Sequence, residues 1–310
     1  MNAIFFELLR FTPISLRYPL AWIGHIPFAS YLARRFRPGC FVELGTHYGN
    51  SYFAFCQTLK EERVPVAAYA VDSWHGDEQA TFYSEDVFAY VSQHNTEHYA
   101  GFSSLLRMQF DEAAGSFSDG SIDLLHIDGY HTYEAVSHDF RTWLPKLAPG
   151  AIVLLHDVNV RQEGYGAWKF WEELRSEYAN TFGFLHSHGL GVVQLEGGSP
   201  DKLLDVFALG PKEQREFAEI FAALGAMHQY RYRQDELQQE TAALRRALAE
   251  RDAVLAEKEA SLAALGAALA EKGETLAETQ AVLNSVIASN SWRITRPLRA
   301  AMAYARKRMA

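Results

Sequence analysis

The sequence has few cysteines and no long apolar segment. Only Cys40 and Cys56 occur among its 310 residues, and both lie in apolar surroundings, which indicates buried thiols in a reducing compartment. No apolar run reaches about 18 residues, so no membrane-spanning helix is expected. The amino end lacks a basic flank followed by an uninterrupted apolar segment, as a signal peptide would have. We therefore expect a cytoplasmic protein.

The chain also lacks an excess of basic residues. Its net charge of −9 gives no reason to expect nucleic acid as a partner. The apolar fraction of 48% and the charged fraction of 22% are ordinary for a soluble protein. A chain of this length holds either one large core or one domain with an appendage.

A strand, a glycine turn and a helix are predicted between Cys40 and Gln57. The apolar run from Cys40 to Leu44 is typical of a buried parallel strand, and the chain then turns at Gly45 and Gly49. Glycines let backbone approach a ligand, and the helix amino end offers N–H groups to an anionic group. A nicotinamide cofactor is disfavoured, because two glycine positions of its fingerprint hold histidine and asparagine.

Further apolar runs alternate with helical segments, which predicts an α/β fold with a Rossmann-like, seven-stranded doubly wound sheet. The remaining strands are expected at Val66 to Val71, Leu105 to Phe110, Ile122 to Asp128, Ala151 to Leu155, Thr181 to His186 and Gly191 to Leu195. Residues 78–104 and the segment from Tyr133 to Leu147 are predicted to be helical. The organisation expected is a helical cover at 1–39, the α/β domain at 40–200, a helical connector at 201–229, a coiled coil at 230–288 and a basic amphipathic tail at 289–310.

The coiled coil is predicted from a heptad repeat of leucines. The repeat consists of Leu248, Leu255, Leu262, Leu269, Leu276 and Leu283. The second core position is poorly filled, since Arg251, Lys258 and Lys272 occupy it, and Gly266 and Gly273 weaken the helix. We expect a homo-oligomer of two or three chains, with a back-folded hairpin or a lone helix as alternatives.

Acidic residues follow the predicted strands. Asp72 ends the second strand, where a carboxylate accepts both ribose hydroxyls of a nucleoside; the alternative is a helix N-cap. Trp74 is expected to lie against the base or to cover the site. Asp111 and Glu112 follow the third strand as candidates for the adenine amino group, and the sequence does not choose between them.

The fourth and fifth strands end in Asp128 and in Asp157, with Asn159 two residues later. Because neighbouring parallel strands end at one rim, the two carboxylates and the amide form an oxygen-donor set suited to Mg²⁺. His131 lies in a glycine-containing loop at this rim and is a candidate base or metal ligand. The alternative for Asp128 is a helix cap. His126 and His156 are interpreted as structural.

The spacing Glu43-x-Gly45-x-x-x-Gly49-x-Ser51 resembles motif I of class I S-adenosylmethionine-dependent methyltransferases of the catechol O-methyltransferase type. Residues 21–194 are similar to the family described as "methyltransferase domain 24", found in bacterial surface-polysaccharide loci. The matching segments are His25-Ile26-Pro27-Phe28, Val42 to Ser51, Val71-Asp72-Ser73-Trp74 with Gly76-Asp77, Ile122 to Tyr133 and Leu155-His156-Asp157.

The resemblance implies S-adenosylmethionine as cofactor and O-methylation of a glycan or another small hydroxyl-bearing acceptor. It implies the cofactor contacts Glu43, Gly45, Thr46, Gly49, Ser51, Asp72, Trp74, Asp111, Glu112 and Asp128. His131 corresponds to the catalytic lysine of catechol-type relatives. Asp128 and Asp157 match their first two metal ligands, whereas the third position holds Val158, so a metal requires Asn159 or His131 as a replacement.

The end of the chain, from Ser291 to Arg299, resembles the Ser-Trp-Arg-Ile-Thr-x-Pro-Leu-Arg tail of many bacterial polysaccharide glycosyltransferases. A basic, partly apolar segment with a tryptophan is suited to an anionic membrane surface, and the alternative is a solvated tail. Two other functions stay open at this point. One is a scaffold that recruits a glycosyltransferase to the membrane, and the other is a hydroxylase-like enzyme with a redox metal.

Overall fold

The computed structural model describes residues 2–77 and 81–309. The chain divides into two compact units, with the boundary after Asp235. In the described residues, every helix is too short or too polar to cross a membrane.

A seven-stranded sheet forms the centre of the first unit. Two further strands, β3 and β4, form a short separate pair. In chain order, the strands of the described residues are β1 (Cys40–Leu44), β2 (Ala67–Asp72), β3 (Gly76–Asp77), β4 (Thr81–Phe82), β5 (Ser103–Arg107), β6 (Ile122–Ile127), β7 (Leu147–His156), β8 (Thr181–Phe184) and β9 (Leu190–Gln194). The order in the sheet is β5-β2-β1-β6-β7-β9-β8. The first five of these strands run parallel, whereas β9 is antiparallel to both of its neighbours. The predicted Rossmann-like sheet is therefore confirmed.

Helices cover the sheet and form the end of the chain. They are α1 (Asn2–Arg10), α2 (Ile26–Phe36), α3 (Asn50–Glu61), α4 (Glu85–His98), α5 (Phe110–Ala114), α6 (Tyr133–Trp143), α7 (Ala167–Glu177), α8 (Pro211–Ala288), α9 (Asn290–Ile294) and α10 (Arg296–Met309). Strand β1 shows why both faces are covered. Phe41 belongs to a buried apolar cluster with α2 and α3, and Val42 belongs to a second cluster with α6 and α7, because successive side chains of a strand point to opposite faces.

Several element boundaries differ from the predictions. Strand β5 ends at Arg107 rather than Phe110, and Phe110 begins a helix. Strand β7 begins at Leu147 rather than Ala151 and runs through Pro149 and Gly150, and the β6–β7 register shifts there. Within the predicted helix at 78–104, Thr81–Phe82 is a strand and only Glu85–His98 is α-helical; residues 78–80 lie outside the description.

The chain beyond residue 200 begins with two short 3₁₀ helices and then enters α8, which contains 78 residues. Near its start, Phe221 and Leu224 are buried against the first unit's core. The heptad leucines from Leu248 to Leu283 are all exposed. Two shorter helices, α9 and α10, complete the tail.

Candidate functional site

A cavity of about 400 Å³ opens at the carboxyl ends of the parallel strands. This volume lies within the range of about 300–1,000 Å³ that is typical of small-molecule pockets. Its walls come from the amino-terminal segment, the glycine turn and the ends of β2, β5, β6 and β7. The lining residues are Pro19, Ala21, Trp22, Gly45, Thr46, His47, Tyr48, Asn50, Ser51, Asp72, Ser73, Gly76, Tyr83, Gln109, Phe110, Asp128, Gly129, Tyr130, His131, His156 and Asp157.

The glycine turn lies directly against the end of β6. Gly45 has a positive φ of 84°, and a Cβ at this residue would overlap the carbonyl oxygen of Asp128. The backbone N–H of Asp128 in turn donates to the carbonyl of Leu44. Glycine is therefore required at position 45, where it lets the turn and Asp128 share one rim.

Asp72 holds the glycine turn from the neighbouring strand. Its Oδ2 accepts hydrogen bonds from the backbone N–H groups of Thr46 and His47, each at 2.9 Å. Its Oδ1 accepts from the N–H of Trp74 at 2.6 Å. The alternative N-cap role is not realised, because the next α-helix begins only at Glu85. Asp72 also lines the cavity, so one carboxylate both fixes the loop and faces the site.

Three predicted cofactor contacts do not line the cavity: Glu43, Trp74 and Gly49, whose backbone has a positive φ of 78° within the turn. Trp74 is 1% exposed, donates its indole N–H to the carbonyl of His47 at 2.9 Å and packs on Phe88. Glu43 is fully buried beneath the turn, beside His126. Trp74 thus supports the turn from below instead of covering the site.

Asp111 and Glu112, the two candidates for the adenine amino group, also lie away from the cavity. Both are exposed in the first turn of α5, and Asp111 contacts the imidazole of His138 at 2.9 Å. Because β5 ends earlier than expected, the residues that reach the cavity from this segment are Gln109 and Phe110. The sequence analysis missed both, since neither carries a charge that marks a site.

Asp128, His156 and Asp157 form a charged cluster at the ends of β6 and β7. Nδ1 of His156 lies 3.1 Å from Oδ1 of Asp128 and 3.2 Å from Oδ2 of Asp157. Nε2 of His156 lies 3.0 Å from the carbonyl oxygen of Ser187. A carbonyl and two carboxylates can only accept hydrogen bonds, so both ring nitrogens carry a proton and the ring is an imidazolium.

The pKa values follow from this geometry. Burial alone would lower the pKa of His156, but the charges of Asp128 and Asp157 outweigh it and raise that pKa well above its usual value. Burial likewise opposes ionisation of Asp157, yet His156, His188 and His131 hold the pKa of its carboxyl below the usual range. The pKa of Asp128 is also lowered, because His156 outweighs the burial of that carboxyl.

His131 approaches the same cluster from the loop after β6. Its Nδ1 lies 3.3 Å from Oδ2 of Asp157, and its ring stacks on Tyr165 with the centroids 5.3 Å apart. His188 contacts the other oxygen of Asp157 at 3.0 Å. The predicted meeting of Asp128, Asp157 and His131 at one rim is therefore present, in an Asp–His arrangement that suits proton transfer.

The donor set differs from the expected Mg²⁺ site. Asp128, His131 and Asp157 bring ligand atoms within 4.8 Å of one another, but Asn159 is exposed and donates its amide to the carbonyl of Leu185 at 2.9 Å. Asn159 does not line the cavity. Mg²⁺ prefers oxygen ligands, and the N–H of His156 already lies against one oxygen of each carboxylate. Asn159 therefore does not join the predicted Mg²⁺ ligands, whereas His131, the other replacement that the sequence allows, lies within the cluster.

His156 is the main residue whose role the sequence analysis missed. It was interpreted as structural, yet it lines the cavity and contacts both carboxylates. Its position beside Asp157 at a strand end was the available signal. The amino-terminal wall of Pro19, Ala21 and Trp22 was expected only as a general cover.

Comparisons with known proteins found a curated relative and several similar solved structures. A protein of Sinorhizobium fredii named y4gI and described as uncharacterized is 46% identical over 173 residues, which are 56% of this chain. The chain covers only 19% of that protein's length.

Two solved structures are similar at a greater distance. The S-adenosylhomocysteine-bound methyltransferase PaMTH1 of Podospora anserina has 15% identity and a TM-score of 0.45, over 64% of this chain and 89% of its own. The O-methyltransferase TomG of Streptomyces achromogenes, in complex with S-adenosylmethionine, has 14% identity and a TM-score of 0.44, over 63% and 95% of the two chains. At such values neither structure decides the activity of this chain. Residues 42–158, which contain the glycine turn and the Asp128–His156–Asp157 cluster, match the model of the family described as a methyltransferase domain.

Proposed function

We propose that this protein is an O-methyltransferase that uses S-adenosylmethionine. One observation carries the proposal: the glycine turn, Asp72 and the His131–Asp157 pair open onto the same cavity. A nucleoside cofactor and a proton acceptor are then available within one site, as methyl transfer to a hydroxyl requires.

The nucleoside end of the cofactor would lie along the glycine turn. Asp72 faces the cavity there with a carboxylate already fixed by three backbone N–H groups. A carboxylate has about four lone-pair positions, so Asp72 retains capacity to accept a ribose hydroxyl. The side chains of Gln109 and Phe110, at the end of β5, would then lie beside the base.

His131 would act as the general base. When bound, S-adenosylmethionine would supply an electrophilic methyl group on sulfur; the acceptor oxygen takes this methyl group as the C–S bond breaks, and S-adenosylhomocysteine leaves. The imidazole of His131, whose Nδ1 lies 3.3 Å from Asp157, takes the hydroxyl proton as the new C–O bond forms. Positioning of the two reactants contributes much of the rate acceleration, and the base contributes a further factor of about 10²–10⁴.

The charges around the cavity favour a neutral acceptor. The described lining residues include three carboxylates, Asp72, Asp128 and Asp157, and no lysine or arginine. Residues 78–80, which lie outside the description, read Glu-Gln-Ala and add no cation. A phosphate or carboxylate group beside the reacting hydroxyl would have no positive partner other than histidine. This supports a sugar hydroxyl, as in surface-polysaccharide biosynthesis, as the acceptor.

The test uses purified protein, isotopically labelled S-adenosylmethionine and lipid-linked glycans of the source cell, followed by mass spectrometry of the products. We expect a mass increase of one methyl group on a neutral sugar residue. Uptake of S-adenosylhomocysteine is measured separately by calorimetry. Binding without methyl transfer to any glycan would favour a scaffold, and no binding would contradict the proposal.

The tail offers a way to bring the enzyme to membrane-bound glycans at the inner face of the membrane. In α10, Leu298, Met302 and Ala305 share one face by their spacing of four and three residues. Basic residues flank them, and no acidic residue occurs after Glu278. Such a helix suits an anionic lipid surface. Sedimentation with vesicles containing phosphatidylglycerol should recover the protein, and equal recovery with neutral vesicles would contradict this role.

A further inference from the structure

The loop between β7 and α7, residues 157–166, contacts His131 at both of its ends. At the far end, the backbone N–H groups of Gly166 and Ala167 donate to the carbonyl of His131, at 2.7 and 3.2 Å. A Cβ at Gly166 would overlap the backbone of Tyr133, so glycine is needed for this close approach. The end of the loop therefore fixes the backbone of His131.

The orientation of the imidazole ring depends on contacts of the side chain. A histidine side chain has two torsions, and the one that rotates the ring is broad because it joins an sp³ carbon to an sp² carbon. At the start of the loop, Oδ2 of Asp157 lies 3.3 Å from Nδ1 of His131 and so holds one edge of the ring. A single edge contact does not define the plane of a ring, and a contact on its face adds what the edge contact lacks.

Tyr165 supplies this contact on the face of the ring. Its ring plane lies within 10° of the imidazole plane, with the two centroids 5.3 Å apart, which is the offset-stacked arrangement that aromatic pairs favour. Tyr165 is half-buried and does not line the cavity, so it touches the proposed base from outside the cavity. A turn orders the loop at this point, since the N–H of Tyr165 donates to the carbonyl of Gln162 at 3.1 Å.

We propose that Tyr165 is a positioning residue for methyl transfer, whose ring holds the imidazole of His131 in the plane from which it takes the acceptor proton. The inference deepens the proposed function and rests on it, because it gives Tyr165 a part in that reaction. The ring performs this role, and the hydroxyl carries no proton to or from the acceptor. Phenylalanine should therefore replace Tyr165, whereas an aliphatic side chain should not.

The first experiment compares Tyr165→Leu with Tyr165→Phe in the methyl-transfer assay with lipid-linked glycans. At saturating methyl donor, Tyr165→Leu should lower turnover roughly ten-fold, which corresponds to the upper end of the free energy of an aromatic pair. Tyr165→Phe should stay within about two-fold of wild type, because the stacked ring remains. Equal losses in the two variants would assign the effect to the hydroxyl and overturn the proposal. Unchanged turnover in Tyr165→Leu would also overturn it.

Trp168→Leu is the matched control for the loss of a ring. Trp168 is also half-buried, and it lies three residues beyond Tyr165. Its ring packs against the guanidinium of Arg161, at 4.0 Å, and neither of these two residues lines the cavity. Its loss should change turnover by less than about two-fold, as for most substitutions away from a site. A loss as large as that of Tyr165→Leu would show that turnover responds to any loss of packing here, and would overturn the proposal.

The second experiment tests whether Tyr165 acts through His131. Tyr165→Leu is combined with His131→Ala, and the residual turnover of the double variant is measured. A residue that acts through another has no further effect once that other side chain is removed. The double variant should therefore turn over at the rate of His131→Ala. A further loss in the double variant would show that Tyr165 acts elsewhere and would overturn the proposal.

Binding of S-adenosylhomocysteine separates this role from a role in cofactor binding. Calorimetry on Tyr165→Leu should give the affinity of wild type, because the glycine turn and Asp72 are unchanged. Binding that weakens in step with turnover would make Tyr165 a support of the cofactor site and overturn the proposal. If wild type binds no S-adenosylhomocysteine, the proposed function fails, and the role of Tyr165 fails with it. If wild type transfers methyl groups and Tyr165→Leu does so at the same rate, only the role of Tyr165 fails.

Discussion

Nδ1 of His156 lies 3.1 Å from Oδ1 of Asp128, so a positive ring occupies the place between two strand-end carboxylates. The second carboxylate, Asp157, is 3.2 Å from the same nitrogen. In the catechol-type relatives that the sequence resembles, carboxylates at these positions hold a metal. Here the imidazolium supplies positive charge to both carboxylates, which otherwise would repel each other across a buried rim.

We expect methyl transfer to survive removal of divalent cations. The protein is dialysed against EDTA, its metal content is checked by mass spectrometry, and activity is compared with and without added Mg²⁺. The reason is that the N–H of His156 already neutralises the carboxylates that a cation would need. Activity that disappears after dialysis and returns with Mg²⁺ would show that a cation displaces His156 in the working enzyme.

We expect His131→Ala to lower turnover by about 10²–10⁴ and to leave binding of S-adenosylhomocysteine unchanged. The substitution removes the proton acceptor but leaves the glycine turn and Asp72 in place. Turnover is measured with saturating methyl donor, and binding by calorimetry.

His138→Ala is the matched control for this substitution. His138 also contacts a carboxylate, that of Asp111 at 2.9 Å, but its side chain is 58% exposed and lies outside the cavity lining. Loss of the His138 side chain should change turnover less than two-fold, because an exposed ion pair contributes little free energy. Unchanged turnover in His131→Ala would remove this residue from the proposed mechanism.

The residues that sequence reasoning placed correctly are those fixed by strand ends. Asp72, Asp128 and Asp157 each follow an apolar strand, and parallel strands bring their carboxyl ends to one rim; all three line the cavity. Asp111 and Glu112 were misplaced because β5 stops at Arg107. The predicted end of this strand, Phe110, lies three residues beyond the observed one, and this difference places both acids on the exposed face of the next helix.

Side chains whose roles depend on pairing were not predictable from spacing. Glu43 lies in the expected motif, but its partner His126 is 83 residues away, and only the β1–β6 pairing brings them together. The charge of His156 was not predictable either, because it follows from three acceptors on different segments, the carboxylates of Asp128 and Asp157 and the carbonyl of Ser187. One sequence identifies the strand ends, but it does not identify which polar groups meet behind them.

A buried carboxyl outside the cavity should make stability depend on pH. Asp139 in α6 is 7% exposed; burial raises its pKa to about 7, with His138 opposing and Asp111 adding to the shift. The ordinary value is about 3.9. The folded protein therefore binds this proton more tightly than the unfolded chain, and the free energy of unfolding falls as pH rises from about 4 to 7.

We expect Asp139→Asn to remove this fall. The variant should be more stable than wild type by roughly 2–4 kcal/mol at pH 8, and the gain should be smaller at pH 5. Urea unfolding at both pH values measures the difference. Asp119→Asn is the control, because Asp119 is an exposed acid paired with Lys146. A gain that is equal at both pH values would show that Asp139 is ionised in the folded protein throughout this range.

The exposed leucines of α8 should mediate self-association. Leu255 and Leu262 are 52% and 68% exposed on a helix whose leucines recur every seven residues. A helix with such an uncovered stripe gains apolar burial by pairing with a second copy. We therefore expect light scattering after size-exclusion chromatography to give the mass of a dimer or trimer. This mass should depend on protein concentration, because lysines and glycines interrupt the stripe of leucines.

The double substitution Leu255→Lys and Leu262→Lys places two charges in this stripe and should give the monomer mass. Ala260→Lys is the matched control. At 100° per residue, Ala260 lies about 140° from Leu255 and 160° from Leu262 around the helix, so a lysine there should leave the oligomer intact. A wild-type monomer at all concentrations would contradict the coiled coil and leave α8 as a lone helix. Loss of the oligomer in both variants would instead indicate that another face of the helix mediates association.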